Sequence, residues 1–148
     1  MCLIIDANMF DGYIKQKDAN MQQLKFWVEN KSRRVAYSNA GKMKQELARN
    51  PEMMEMLFAY RESEKAELFS EEEIKRQEET LQEYGLKSDD EHILALALAS
   101  GARLLVSEDR ALGVDFKAHP IRGKVYKNQN RQRREDLLRE CRCPPKKK

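Results

Sequence analysis

A chain of 148 residues, 41% hydrophobic and 36% charged, is the size of one domain with a thin core and a heavily charged surface, large enough to fold without disulfides or a structural metal. No apolar run approaches the roughly 20 residues of a transmembrane helix, and the opening Met1-Cys2-Leu3-Ile4-Ile5-Asp6 puts a carboxylate where a signal peptide carries its apolar region, so a membrane protein is excluded and a cytoplasmic location expected. The net charge of +3 hides an asymmetry: residues 122–148 hold 11 Lys and Arg against 3 Asp and Glu, a net +8, which leaves −5 for residues 1–121.

Leu3-Ile4-Ile5 is a short run of β-favouring residues that stops at Asp6, the pattern of a buried parallel strand. Irregular apolar recurrence from Phe10 to Glu29 reads as a helix followed by a connection or a second helix. Val35-Ala36-Tyr37-Ser38, after the basic turn Lys31-Ser32-Arg33-Arg34, predicts a second strand, and Asn39 is placed to cap a helix running to about Arg49. On that helix Met43, Glu46, Leu47 and Asn50 share one face. The Glu46 carboxylate therefore points inward, where it needs a metal or a partner such as Lys42 or Lys44.

Asn50-Pro51 supplies a cap and a first-turn proline for the next helix, with Met53, Met54, Leu57, Phe58 and Tyr60 on its apolar side. Ser70-Glu71-Glu72-Glu73 is a capping box for a helix running to Tyr84 and ended by Gly85, and residues 53–84 are expected to form a helical arm. A second capping box, Ser88-Asp89-Asp90-Glu91, opens a helix from Asp89 to Ser100 that ends at Gly101. Arg103-Leu104-Leu105-Val106-Ser107 then predicts a buried strand stopping at Glu108-Asp109. Ile121 and Val125-Tyr126 predict the last strand, Glu135 to Glu140 a helical turn or two around Leu137 and Leu138, and Pro144-Pro145-Lys146-Lys147-Lys148 disorder. Cys2, Cys141 and Cys143 are too few and too poorly spaced for a disulfide framework or a zinc site and read as reduced thiols.

Helix, glycine, apolar strand and acid make half of a parallel α/β unit. Two such strands deliver Asp6 and Asp109 to the sheet edge where open α/β sheets bind ligands, with Asp90 and Glu46 able to join them. Each acid alone has a plain reading: Asp89 or Asp90 at a helix start, Asp109 at a turn, Glu46 in an ion pair. Together, four carboxylates repel unless positive charge is supplied, and hard oxygen donors suit Mg²⁺ or Mn²⁺, which activate water and neutralise a phosphodiester during in-line attack. An acidic body with a basic tail also suits a polyanionic ligand. His92, two residues past Asp90 and so turned about 200° from it, reads as a surface or packing residue. Trp27, Tyr37 and Phe26 read as core rather than as base-stacking platforms.

The segments Leu3-Ile4-Ile5-Asp6-Ala7-Asn8, Gln45-Glu46-Leu47, Asp90-Glu91-His92-Ile93-Leu94-Ala95-Leu96-Ala97 and Ser100-Gly101-Ala102-Arg103-Leu104-Leu105-Val106-Ser107-Glu108-Asp109 resemble, in order, the motifs of the PIN-domain family, over about residues 2–126. The resemblance implies a three-layer α/β/α fold whose central parallel sheet has about four to five short strands. It implies a nuclease domain over residues 1–126, and the basic, partly disordered tail expected over residues 127–148 is longer and more basic than a minimal domain of that family requires. It further implies a cytoplasmic endoribonuclease, dependent on Mg²⁺ or Mn²⁺, that hydrolyses phosphodiester bonds of single-stranded RNA and leaves a 3′-hydroxyl and a 5′-phosphate, as toxins of toxin–antitoxin pairs and RNA-processing nucleases do.

Carried over residue by residue, Asp6, Glu46, Asp90 and Asp109 are the metal-holding catalytic acids. Asn8, Ser107 and Asp89 form a second tier, although Asn8 equally suits a helix cap and Ser107 a strand end. Lys127, Arg131, Arg133 and Arg134 are assigned to RNA phosphates, and the tail equally suits an antitoxin or other protein partner. A homodimer is a further implication. The competing functions are a noncatalytic RNA-binding or scaffold protein of the same architecture and, below it, a structure-specific DNA nuclease using the 53–84 arm.

Overall fold

The computed structural model describes residues 2–30, 33–127 and 131–140. At its centre strand β1 (Cys2–Ile5) lies between β2 (Arg34–Ser38) and β4 (Leu104–Val106), with β3 (Ala66–Phe69) and β5 (Lys124–Tyr126) at the edges, in the order β3-β2-β1-β4-β5. Every pairing is parallel. Helices cover both faces of such a sheet, so its middle strands carry unbroken apolar runs: Leu3, Ile4, Leu105 and Val106 are wholly buried. The expected three-layer α/β/α architecture is the one observed, with five strands.

A 3-10 turn (Ala7–Met9) leads from β1 into α1 (Phe10–Lys15) and α2 (Ala19–Asn30); α3 (Gly41–Ala48) and α4 (Pro51–Glu62) join β2 to β3. Asn50 caps α4 as expected, accepting from the Met53 amide at 3.1 Å. Helices α5 (Glu71–Leu81) and α6 (Glu91–Ser100) join β3 to β4, and α7 (Arg110–Lys117) joins β4 to β5. Helix α1 packs on α4 and α5 on α6, as expected where right-handed crossovers put α1 to α4 on one face of the sheet and α5 to α7 on the other. No helix among the described residues is long and apolar enough to cross a membrane.

Several expectations are corrected. Ala40, not Asn39, occupies the cap position of α3, and no side chain bonds there. Residues 53–84 are not a helical arm, because Ala66–Phe69 inside that segment pairs with β2 as an edge strand, and α5 stops at Leu81 rather than Tyr84. The helix expected from Asp89 starts at Glu91, with Asp90 at its cap position and no side-chain cap bond. Its far end is as expected: Gly101 takes φ of 78°, the left-handed value that suits glycine. Beyond Tyr126 the turn or two foreseen is a full helix, α8 (Arg131–Glu140), whose Leu137 and Leu138 are buried and which packs on α2. Cys141, Cys143 and the Pro144 to Lys148 segment lie outside the described residues.

The return into β5 depends on Gly123. Its amide donates to the Phe116 carbonyl at 2.8 Å, and a Cβ there would overlap the buried Phe116 ring and come within 3.0 Å of the Arg103 carbonyl oxygen. Neither the ring nor the strand can retreat within a packed core. Gly123→Ala is therefore expected to cost about 1–3 kcal/mol, read as a lower urea midpoint at unchanged slope.

Candidate active site

The chain runs from β1 outward to β3, then returns to β4 on the other side of β1, so the crevice between the C-terminal ends of β1 and β4 is the switch point where such sheets bind ligands. Ile5 pairs with Val106, which sets Asp6 and Ser107 side by side. The Asp6 amide donates to the Val106 carbonyl at 2.9 Å, and the Ser107 hydroxyl donates to Asp6 Oδ2 at 2.7 Å. That hydroxyl also accepts from the Asp109 amide at 3.0 Å, while Asp109 Oδ1 caps α7 by accepting from Leu112 at 3.0 Å. Ser107 thus ties the first acid to the last.

Asp90 and Glu46 reach the crevice from α6 and α3. Freed from a capping bond, Asp90 Oδ1 accepts from Lys42 Nζ at 2.8 Å; Glu46 Oε1 lies 3.1 Å from His92 Nε2. Asp6 is 5% exposed. Burial pushes its carboxyl above the usual aspartate range, the Ser107 hydrogen bond opposes this, and the charges of Asp90 and Glu46 push it higher. The Asp90 carboxylate it donates to, reinforced by the charges of Asp90, Glu46 and Asp6, holds the Lys42 ammonium above the usual lysine range, against a smaller effect of burial. Asp6, Glu46, Asp90 and Lys42 therefore share one field, and Asp109 joins them through Ser107.

Of the second tier, Ser107 lies between Asp6 and Asp109, and the other two stand apart. Asn8 is exposed in the 3-10 turn, and Met9, not Asn8, occupies the cap position of α1. Asp89 is exposed and lines a pocket of about 220 Å³ shared with α5. Of the residues assigned to RNA, Lys127 lines a groove with Ser107 and Asp109; Arg131 and Arg133 are exposed on α8, the former 3.1 Å from Glu135. Arg134 is buried and donates to Gln23 Oε1 at 2.6 Å, a position that supports the docking of α8 on α2. Trp27 and Tyr37 are core, whereas Phe26 is exposed.

Three residues were not selected from the sequence. Lys42 is the counter-ion of Asp90, and His92, with only 10% of its side chain exposed, orients Glu46. Asp115 on α7 accepts the Lys87 amide on both carboxylate oxygens at 3.0 Å and the Ser88 amide at 2.8 Å, anchoring the loop that leads into Asp90. Only Lys42 had a local signal, its place one turn before Glu46, and that signal pointed to the wrong carboxylate.

Among the described residues no three His, Cys, Asp or Glu side chains stand together in a way that would ligate one ion as they lie. Lys42 and His92 draw Asp90 and Glu46 aside. The donor set is still one of carboxylate oxygens, the chemistry of a Mg²⁺ or Mn²⁺ site, and the partners that must yield are Lys42, its side chain 48% exposed, and the more buried His92. No protein-family model matches the chain, and neither a curated protein nor a solved structure is significantly similar to it.

Proposed function

We propose that this chain is a cytoplasmic, divalent-metal-dependent endoribonuclease that hydrolyses phosphodiester bonds of single-stranded RNA, in the manner of PIN-domain toxins and RNA-processing nucleases. The observation that carries the reading is the buried Asp6 at the switch point, in one field with Glu46 and Asp90 and tied to Asp109 through Ser107. A carboxylate desolvated beside two others is costly to the fold, and a cation-dependent function accounts for its presence. Asp6, Glu46, Asp90 and Asp109 would hold Mg²⁺ or Mn²⁺, which supplies positive charge to the phosphodiester and lowers the pKa of a bound water.

The work of the chain's own residues is positioning. Ser107 fixes the orientation of Asp6 and the backbone at Asp109. His92 fixes Glu46, and Asp115 anchors the approach to Asp90. Lys42 balances the acids before ligand arrives. The test is cleavage of a mixed single-stranded RNA pool with Mg²⁺ or Mn²⁺, with EDTA, and with Asp90→Asn in parallel. Metal-dependent products ending in 5′-phosphate, reduced on the order of 100-fold in the variant, are expected; this corresponds to about 2.7 kcal/mol of transition-state stabilisation.

One observation favours a second reading. Lys42 and His92 partner two of the four carboxylates, so the acids can be balanced without metal, as a noncatalytic RNA-binding protein of this architecture requires. Uncut RNA under every metal condition, with folded wild-type protein, would decide for that reading.

A further inference from the structure

We infer that the groove between α7 and β5 is the track along which the backbone of single-stranded RNA enters the site. The inference rests on the RNA-directed reading above but not on catalysis. The groove measures about 230 Å³ and is lined by Ser107, Asp109, Arg110, Val114, Lys117 and Lys127 among others. It is continuous with the acidic crevice, since Ser107 is bonded to Asp6 and Asp109 caps the helix that forms its wall. A strand lying in it therefore delivers its next phosphate to the carboxylates.

Charge selects this groove over the others. Arg110, Lys117 and Lys127 are exposed, against Glu108 as the one lining acid outside the acidic site. Arg110 and Lys117 sit at the two ends of α7, about 10 Å apart along its axis, a spacing that engages different phosphates of one strand rather than a lone anion. Between them Val114 is 49% exposed, an apolar surface for the face of a sugar or base. The larger groove beside β3, about 540 Å³, instead carries Glu67, Glu72 and Glu73 against Arg76, and the pocket beside α5 carries Glu71, Glu78, Asp89 and Glu91 against Lys42 and Lys75. Both repel a polyanion. The basic helix α8 is a poorer track than its sequence suggests, because Arg134 is engaged by Gln23 and Arg131 pairs with Glu135.

The experiment is binding of a fluorescently labelled oligouridylate to the full chain in EDTA, so that no metal-dependent cleavage intervenes, as a function of salt. Arg110→Glu and Lys117→Glu are each expected to weaken binding roughly 10-fold at low salt and to reduce the log–log salt slope by about 0.7 for each phosphate no longer neutralised. Lys117→Arg should bind like wild type, as should Arg76→Glu, a charge reversal in the acidic groove. Circular dichroism verifies the fold of each variant. Wild-type affinity in the folded Arg110→Glu and Lys117→Glu variants, an equal loss in Arg76→Glu, or no measurable binding by the wild type overturns the assignment. The nuclease reading is judged separately by metal-dependent cleavage: a wild type that binds through this groove without cutting leaves the track standing and removes the catalysis.

Discussion

Asp6→Asn is expected to raise the melting temperature of the metal-free protein at neutral pH while abolishing metal-dependent cleavage. Asp6 is almost fully buried, and its carboxyl is held above the usual aspartate range first by that burial and then by Asp90 and Glu46, with Ser107 opposing. For an acid whose folded-state pKa is raised, the folded protein holds the proton more tightly than the unfolded chain. The associated stability is complete below the unfolded value of 3.8 and is lost as pH rises through the folded value. At neutral pH a charged Asp6 is thus a liability to the apo fold. Asparagine removes the charge and keeps an oxygen to accept from Ser107, so the gain in stability should appear at pH 7 and vanish below about pH 4.

Metal reverses the order. Mn²⁺ at about 100 times its dissociation constant stabilises a one-site protein by about 2.7 kcal/mol, roughly 5–10 °C for a domain of this size, and the variant should lose most of that response. Cleavage should fall on the order of 10²–10³-fold, equivalent to about 3–4 kcal/mol in the transition state. Thermal melts of both proteins with EDTA and with Mn²⁺, at pH 4 and pH 7, read every part of this. A variant less stable than wild type in EDTA at pH 7 would make Asp6 a structural residue, and an undiminished Mn²⁺ response would remove it from the metal site.

What was legible in the sequence follows from where each element gets its stability. Strands β1 and β4 are buried on both faces, so they appear as apolar runs ended by acids, and Asp6 and Asp109 could be placed at one sheet edge from that pattern alone. Strand β3 could not. Its four residues, Ala66-Glu67-Leu68-Phe69, are buried at the ends and half-buried between, lie at the sheet edge, and sit between two stronger helix signals. Helix α8 was legible only in part because two adjacent leucines in a basic stretch give no helical period; their burial on α2 comes from packing. At the start of α6 tertiary contacts overrode a local signature. Ser88-Asp89-Asp90-Glu91 has the form of a capping box, yet the Ser88 amide goes to Asp115 and the Asp90 carboxylate to Lys42. Pairs separated by 27 and 48 residues leave no trace in local spacing. The acids and Ser107 were therefore readable, and Lys42, His92 and Asp115, which hold the acids from a distance in sequence, were not.

The second large effect is expected from Asp115→Ala. Asp115 is 7% exposed, and its carboxylate accepts two consecutive backbone amides, Lys87 and Ser88, in a loop with no strand or helix ladder to receive them. Removing it leaves both donors unsatisfied unless water enters. Hydrogen bonds to a charged group are worth about 1.5–3 kcal/mol each, so a loss of about 3–4 kcal/mol is expected, and Asp115→Asn, which retains one acceptor oxygen, should lose about half. The consequence passes to the site, because the loop released from α7 carries Asp90 two residues beyond Ser88. Measured well below its lowered melting temperature, folded Asp115→Ala should show a weaker Mn²⁺ response and slower cleavage than wild type. A stability loss under about 0.5 kcal/mol, within the ordinary range of surface substitutions, would show that water replaces the clamp; a full loss with unchanged Mn²⁺ affinity and cleavage per folded molecule would separate anchoring of the loop from orientation of Asp90, and assign the latter to Lys42 alone.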